Sequence, residues 1–448
     1  MPLTVSSRGY CESHSPVRHS RYNLRVATCL LETTQYLTMS MMLRAGQSIA
    51  LCALLAGCGG DTVSPTPLPT QPTNPSPVTM TVLGRGDFKP LRYSAELFVR
   101  GSTAYTTTWG NSDTTSAFYI WNVAGNTPAL VDSVIVAGAR TLGDIAVSDD
   151  GSLLIVATES SGSLAIYGLA DPRKPVLLSR MTSGVVLGVH TAEIARVNGR
   201  LYGFLAIDPR NGVAAQLVIV DLSDPTAPQT VLTRTIGRPF VHDTFVRDGL
   251  LYLALWNDGV AIWDIGGGGK GGTVSDPVEL GRVATANGEV HNIWWLKDPV
   301  TNITRYAFIG EEGPGSIGVS SVGDIHVVDV SAPSAPREVA FYTVSKAGTH
   351  NFSVDEQNGI LYAAYYNGGV RAIDVRGDLG TCADAQKSAP AGATQPECDL
   401  RKMGRELGIG LLDRGNPVYV WGVQYLNGAL YASDMLNGLW KLAPVVRP

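Results

Sequence analysis

The chain has 448 residues, a formal net charge of −5, only 16% charged residues and 50 glycines. No lysine or arginine cluster occurs, which argues against a nucleic-acid partner. No long segment carries capped helical periodicity, so the folding unit is the short strand closed by a tight turn.

Residues 1–40 are polar and patternless, with Cys11, His14 and His19. They read as an upstream extension from a start assigned too early, with Met41 or Met42 the true start, and are set aside. Residues 41–57 read as an export signal: Arg44 gives the positive charge, and Ile49 to Leu55 is an apolar run too short to span a bilayer. Leu55-Ala56-Gly57-Cys58 resembles a bacterial lipobox. That resemblance implies cleavage before Cys58, a lipid on it, and an extracytoplasmic protein attached to a membrane. Gly59, in place of the Asp that favours inner-membrane retention, points to the outer membrane. Residues 58–79 are rich in Pro, Thr and Ser and form an extended tether of about 3 Å per residue.

From residue 80 onward one phrase repeats. Its clearest copy is Leu217-Val218-Ile219-Val220-Asp221 followed by a turn with Pro225 and Pro228. In chain order the copies centre on Tyr119–Asn122, Leu164–Tyr167, Leu217–Asp221, Val260–Asp264, Ile325–Asp329, Val370–Asp374 and Leu439–Leu442. The unit around the fourth copy reads as four strands: His242 to Arg247, Leu250 to Leu255, Val260 to Ile265 and Val278 to Val283. Turns fall at Asp248-Gly249 and Asn257-Asp258-Gly259. Such a sheet is apolar on both faces, so it must stack against copies of itself around an axis. The expected fold is an all-β, seven-bladed propeller of four-stranded antiparallel blades, at about 91–137, 138–183, 184–236, 237–285, 286–345, 346–410 and 415–448. The last unit lacks a fourth strand. Met80-Thr81-Val82-Leu83-Gly84 resembles one and is expected to pair with the C-terminal strand and close the ring, removing a sheet edge.

These residues are similar to the LVIVD-repeat family of bacterial β-propellers, and 217–221 spell that motif. The resemblance covers nearly all of the chain after the tether. It implies the fold and no particular activity.

Cys382 and Cys398 are an even pair in an exported chain and read as a disulfide, within an insertion of the sixth blade at 378–401 that offers a contact surface. His190, His242, His291 and His350 head the first strand of four consecutive blades. Counting back ten residues from the second-strand residue, as from Tyr252 to His242, puts Asp144 at that place in the second blade, Trp421 in the seventh and Ala95 in the first. First strands of a propeller are innermost, so these side chains ring one mouth of the channel. Loops between second and third strands open there too and supply Asp258, Glu311, Glu312 and Tyr366. Imidazoles with carboxylates suit a divalent transition metal or a polar small ligand. A ring of histidines for copper is also similar to propeller oxidases of the selenium-binding-protein type, without a shared motif. Equally, each histidine can cap a turn within its own blade, with Asp258 or Asn367 as partner.

His326, inside a third strand, reads as an outward-facing surface residue. The Asp that ends each phrase reads as a turn acceptor. Trp121 and Trp263 read as core between blades, and one of Trp294 and Trp295 as approaching the channel. The run Gly266 to Gly272 lacks phosphate-loop spacing and reads as a flexible connector. No Gly-x-Ser-x-Gly and no His-Glu-x-x-His occurs. The expected function is a monomeric binding or scaffold module with a protein or small-molecule partner on the channel-mouth face. The alternative is a metal-dependent hydrolase or oxidoreductase that uses the histidine ring.

Overall fold

Alternation along single strands dictates the architecture. In the fourth blade Leu250–Ala254 and Val260–Asp264 are buried along their whole length. Leu251, Leu253, Ala261 and Trp263 pack with Phe204, Leu217 and Ile219 of the third blade. Leu250, Tyr252, Ala254 and Ile262 pack with Trp295, Ala307, Ile309 and Val328 of the fifth. Successive residues thus serve opposite neighbours. Each fully buried Leu or Ile contributes roughly 1.5–3 kcal/mol, which one blade in isolation forfeits on both faces.

The structure, a computed structural model, describes residues 76–86, 93–109, 116–159, 162–237, 240–317 and 319–447. The extension, the export signal, Cys58 and the tether up to residue 75 lie outside the described residues. Among the described residues the chain forms seven sheets, each built on four antiparallel strands in the order of one blade; the fifth blade's sheet carries two further strands and the sixth blade's one. The first strands of all seven line one central cavity. No helix among the described residues is long and apolar enough to cross a membrane.

The ring closes as expected, two residues further on: Val82–Gly86 pairs antiparallel with Gly438–Leu442. Just before it, Val78–Thr79 pairs parallel with the sixth blade at Gly408 and Ile409. The N-terminal segment therefore ties the sixth blade to the seventh. Glycine is required at Gly86, where a Cβ would come within 2.7 Å of the Trp121 ring.

Asp221, Asp329 and Asp374 accept the backbone N–H two residues on, at 2.8, 3.0 and 3.0 Å. Asp264 goes further. Its carboxylate takes the N–H groups of Gly266, Gly268, Lys270 and Gly272 at 2.7–3.2 Å. The glycine run is a cage wound on that carboxylate rather than a slack connector.

The insertion leaves the sixth blade and docks on the fifth. Glu397–Asp399 pairs parallel with Arg337–Thr343, at Ala340 and Phe341. Cys382 and Cys398 are disulfide-bonded with Cα atoms 5.9 Å apart.

His326 corrects the sequence reading. It is 0% exposed. Its Nε2 lies 3.0 Å from Glu311 Oε2, and its Nδ1 bonds Glu338 Oε1. A third strand buries both faces, so no position midway along it reaches solvent.

Candidate functional site

The residue ahead of each first strand is held by the second strand of its own blade. His190 N–H bonds Ala206 O, His242 N–H bonds Ala254 O and His350 N–H bonds Ala364 O, at 2.8–2.9 Å. Repetition of that bond in three blades, with His291 inside the first strand of the blade between two of them, brings the four imidazoles side by side. The His190 and His242 ring centroids lie 4.3 Å apart, His242 and His291 4.2 Å, His291 and His350 3.9 Å. His350 meets Trp421 at 4.3 Å, and Trp421 meets Trp109 at 5.5 Å. Trp109 Nε1 donates to Glu159 at 3.2 Å, and Glu159 lies 3.4 Å from His190 Nδ1. One side chain from each blade thus joins a closed belt around the channel. Each imidazole meets the side chain of the next blade, and His190 also meets Asp208 of its own blade at 3.3 Å.

Asp144 does not join this belt. A bulge between Leu142 and Ile145 shifts it by one place, and its carboxylate accepts the Ala192 N–H of the next blade at 2.9 Å. There it stands with two acids absent from the sequence reading, Glu96 and Asp243. Glu96 accepts from Trp421 Nε1 at 2.6 Å and from Asn351; Asp243 accepts from Asn292 at 2.8 Å. The signal for Asp243 was its place directly after His242. Glu96 is hidden by a second bulge, between Ser94 and Leu97.

Outside the belt lies a rim formed one or two places past the second strands. Glu312 is there, bonded by the Tyr366 hydroxyl. Trp256 stacks on His242 with centroids 5.1 Å apart, and Asp208 lies 3.3 Å from His190 Nδ1. Trp256 and Tyr366 both hold positive φ, 52° and 37°. For such bulky residues this costs of order 1–3 kcal/mol each. Their backbones bridge Val290 and Val420 of the next blade. Two residues called from the loops fall elsewhere. Glu311 turns inward to His326, and the Asp258 charge reaches Arg282.

The electrostatics divide the histidines. Burial pushes the His190 imidazole down, but Asp208, Glu159 and Asp144 outweigh it and hold its pKa up at about 10. Burial and neighbouring imidazoles hold His242, His291 and His350 well below the usual value. Burial also raises the acids, Glu96 to about 7 and Asp243 to about 6.

Nitrogens of His242 and His291 and a carboxylate oxygen of Glu312 lie within 4.8 Å of one another. Both histidines are nearly enclosed, at 7% and 4% exposure. Their Nδ1 atoms have no hydrogen-bond partner. Two imidazoles and a carboxylate suit zinc, copper or iron(II) and leave coordination positions open.

The LVIVD repeat model matches residues 212–234 and 319–344, the third-strand phrases of blades three and five. The chain is a β-propeller that carries LVIVD repeats. No curated protein sequence matches it. Among solved structures this LVIVD-repeat propeller is similar to Saccharomyces cerevisiae Sqt1, at 9% identity over 81% of this chain and 85% of that one, with a TM-score of 0.50. It is also similar to U3-55K, at 12% identity over 82% and 100%, with a TM-score of 0.53. Both likenesses speak for the fold alone.

Proposed function

We propose that this propeller is an extracytoplasmic binding module, anchored by a lipid on Cys58, that holds one divalent transition metal ion through His242, His291 and Glu312. The grouping of those three side chains carries the reading. Two enclosed imidazoles with unpartnered nitrogens beside a carboxylate are costly to bury unless something ligates them. Three protein donors leave open positions, and that favours a second reading in which the ion acts on a substrate.

Metal analysis and zinc titration calorimetry of the purified protein test the first reading. One equivalent is expected in the wild type, with loss in His242→Ala, His291→Ala and Glu312→Gln. Equal metal content in all four sinks it. The anchor is tested apart from the metal: Cys58→Ser should move the protein from the membrane fraction to the soluble one.

A further inference from the structure

The channel beyond the imidazole belt encloses about 360 Å³, a volume within the range of small-ligand pockets. Five carboxylates line it; Glu159 faces His190 Nδ1 at 3.4 Å, which leaves Glu96, Asp144, Asp243 and Glu193. Among the described residues its wall contains no lysine and no arginine. The bonds these carboxylates receive come from neutral donors: an indole, two amides and the backbone N–H groups of Ala192, Thr244 and Val246. Glu193 keeps one buried oxygen without a partner. The unpartnered Nδ1 atoms of His242 and His291 border the same space.

Buried carboxylates this poorly matched need a positive guest or a proton. Positive charge reaches them from His190 on the wall and from Arg247, which lies behind Phe245 and Trp294 and acts on Glu193. No three of the acids stand close enough to share one metal ion; the one such grouping among the described residues is His242, His291 and Glu312. A larger cation, spread over the space between them, fits instead. The remaining wall suits it, because Trp109 and Trp421 present aromatic rings, whose faces attract cations; Arg247 already covers Phe245 and Trp294.

We propose that the channel binds an organic ammonium ion, with its charge among Glu96, Asp144, Asp243 and Glu193 and its carbon substituents against the tryptophans. Glu312 is not part of this wall and His242 and His291 only border it, so the site rests on carboxylates other than the metal ligand.

The test is titration calorimetry on the purified full chain, metal-free and zinc-loaded, with two matched pairs of probes. One pair is choline and 3,3-dimethylbutan-1-ol; the other is 2-phenylethylamine and 2-phenylethanol. In at least one pair the ammonium compound should bind roughly tenfold or more tighter than its neutral partner. Asp144→Asn combined with Glu193→Gln should abolish that preference while zinc stoichiometry holds. Should that double variant fail to fold, Trp109→Leu should weaken the ammonium compound by a similar factor. Equal binding within both pairs, or none, overturns the proposal and leaves protonated carboxylates as the account of the wall. Loss of zinc binding with the ammonium preference intact would overturn only the metal reading.

Discussion

His190 Nε2 stands 2.9 Å from His242 Nε2. One of the two nitrogens must carry the hydrogen between them, so the two rings cannot be protonated independently. With His190 as imidazolium, His242 accepts through Nε2 and holds its own hydrogen on Nδ1, the nitrogen with no protein partner. An ion ligated by His242 has to displace that hydrogen. That hydrogen would leave to solvent, and the shared one would move onto His242 Nε2, leaving both rings neutral.

Metal uptake should therefore release protons, on the order of one per ion. Calorimetric titration with zinc in buffers of different ionisation enthalpy measures this. Observed heats that do not depend on the buffer would contradict it.

His326 is a second buried centre, unrelated to the channel. Its charge is compensated by Glu311 and Glu338, so removing the ring leaves acids buried against nothing. His326→Ala should cost about 3–5 kcal/mol in denaturant unfolding. The pH dependence has a fixed sign. Burial opposes the charged ring, but Glu311 and Glu338 raise its pKa well above the usual value. The stabilisation is fully present below about pH 6.5 and is lost as pH rises through the folded-state value. The gap between wild type and His326→Gln should narrow accordingly on the alkaline side.

Asp264 gives the opposite sign. Its burial raises the pKa, but four backbone N–H donors outweigh that and bring it to about 2. Its contribution is complete above about pH 4 and lost as pH falls toward 2. Asp264→Ala leaves four N–H groups without their acceptor and should cost about 2–4 kcal/mol at neutral pH. Thermal unfolding of the variant at pH 7 checks it.

Much of this was legible in the chain. The five-residue phrase repeats with its Asp and its prolines, strands bury alternate residues on opposite neighbours, and both requirements are local. The histidines were legible too, since each stands at the start of a blade's first strand. What escaped depended on other blades. A one-residue bulge sent Asp144 away from the imidazoles and toward Asp243. Glu311 and Glu312 look alike in sequence, yet neighbours on a strand face opposite ways, so one meets His326 and the other the rim. His326 looked like a surface residue because both of its acids come from neighbouring strands. The docking of Glu397–Asp399 on the fifth blade is a parallel pairing across a long loop, which no local pattern announces.

The strap formed by the insertion should detach on reduction. Cys382 and Cys398 are 16 residues apart, and closing a loop of that size contributes about 3 kcal/mol. Cys398→Ser should raise amide hydrogen exchange at 387–399 and leave the third and fourth blades unchanged. Faster exchange throughout would mean that the strap supports the whole ring.

Gly86 tests the closure. A side chain there meets the Trp121 ring, so Gly86→Ala should lower stability by about 1–3 kcal/mol. The loss should appear as a lower Tm; an unchanged Tm would show that the closing strand yields freely.

The central claim is an ion shared by His242, His291 and Glu312. The most direct measurement is anomalous diffraction from crystals of the zinc-loaded protein, recorded on both sides of the zinc absorption edge. A single strong peak within bonding distance of all three side chains is expected. A peak elsewhere in the channel, or none at full zinc occupancy of the solution, would contradict the account.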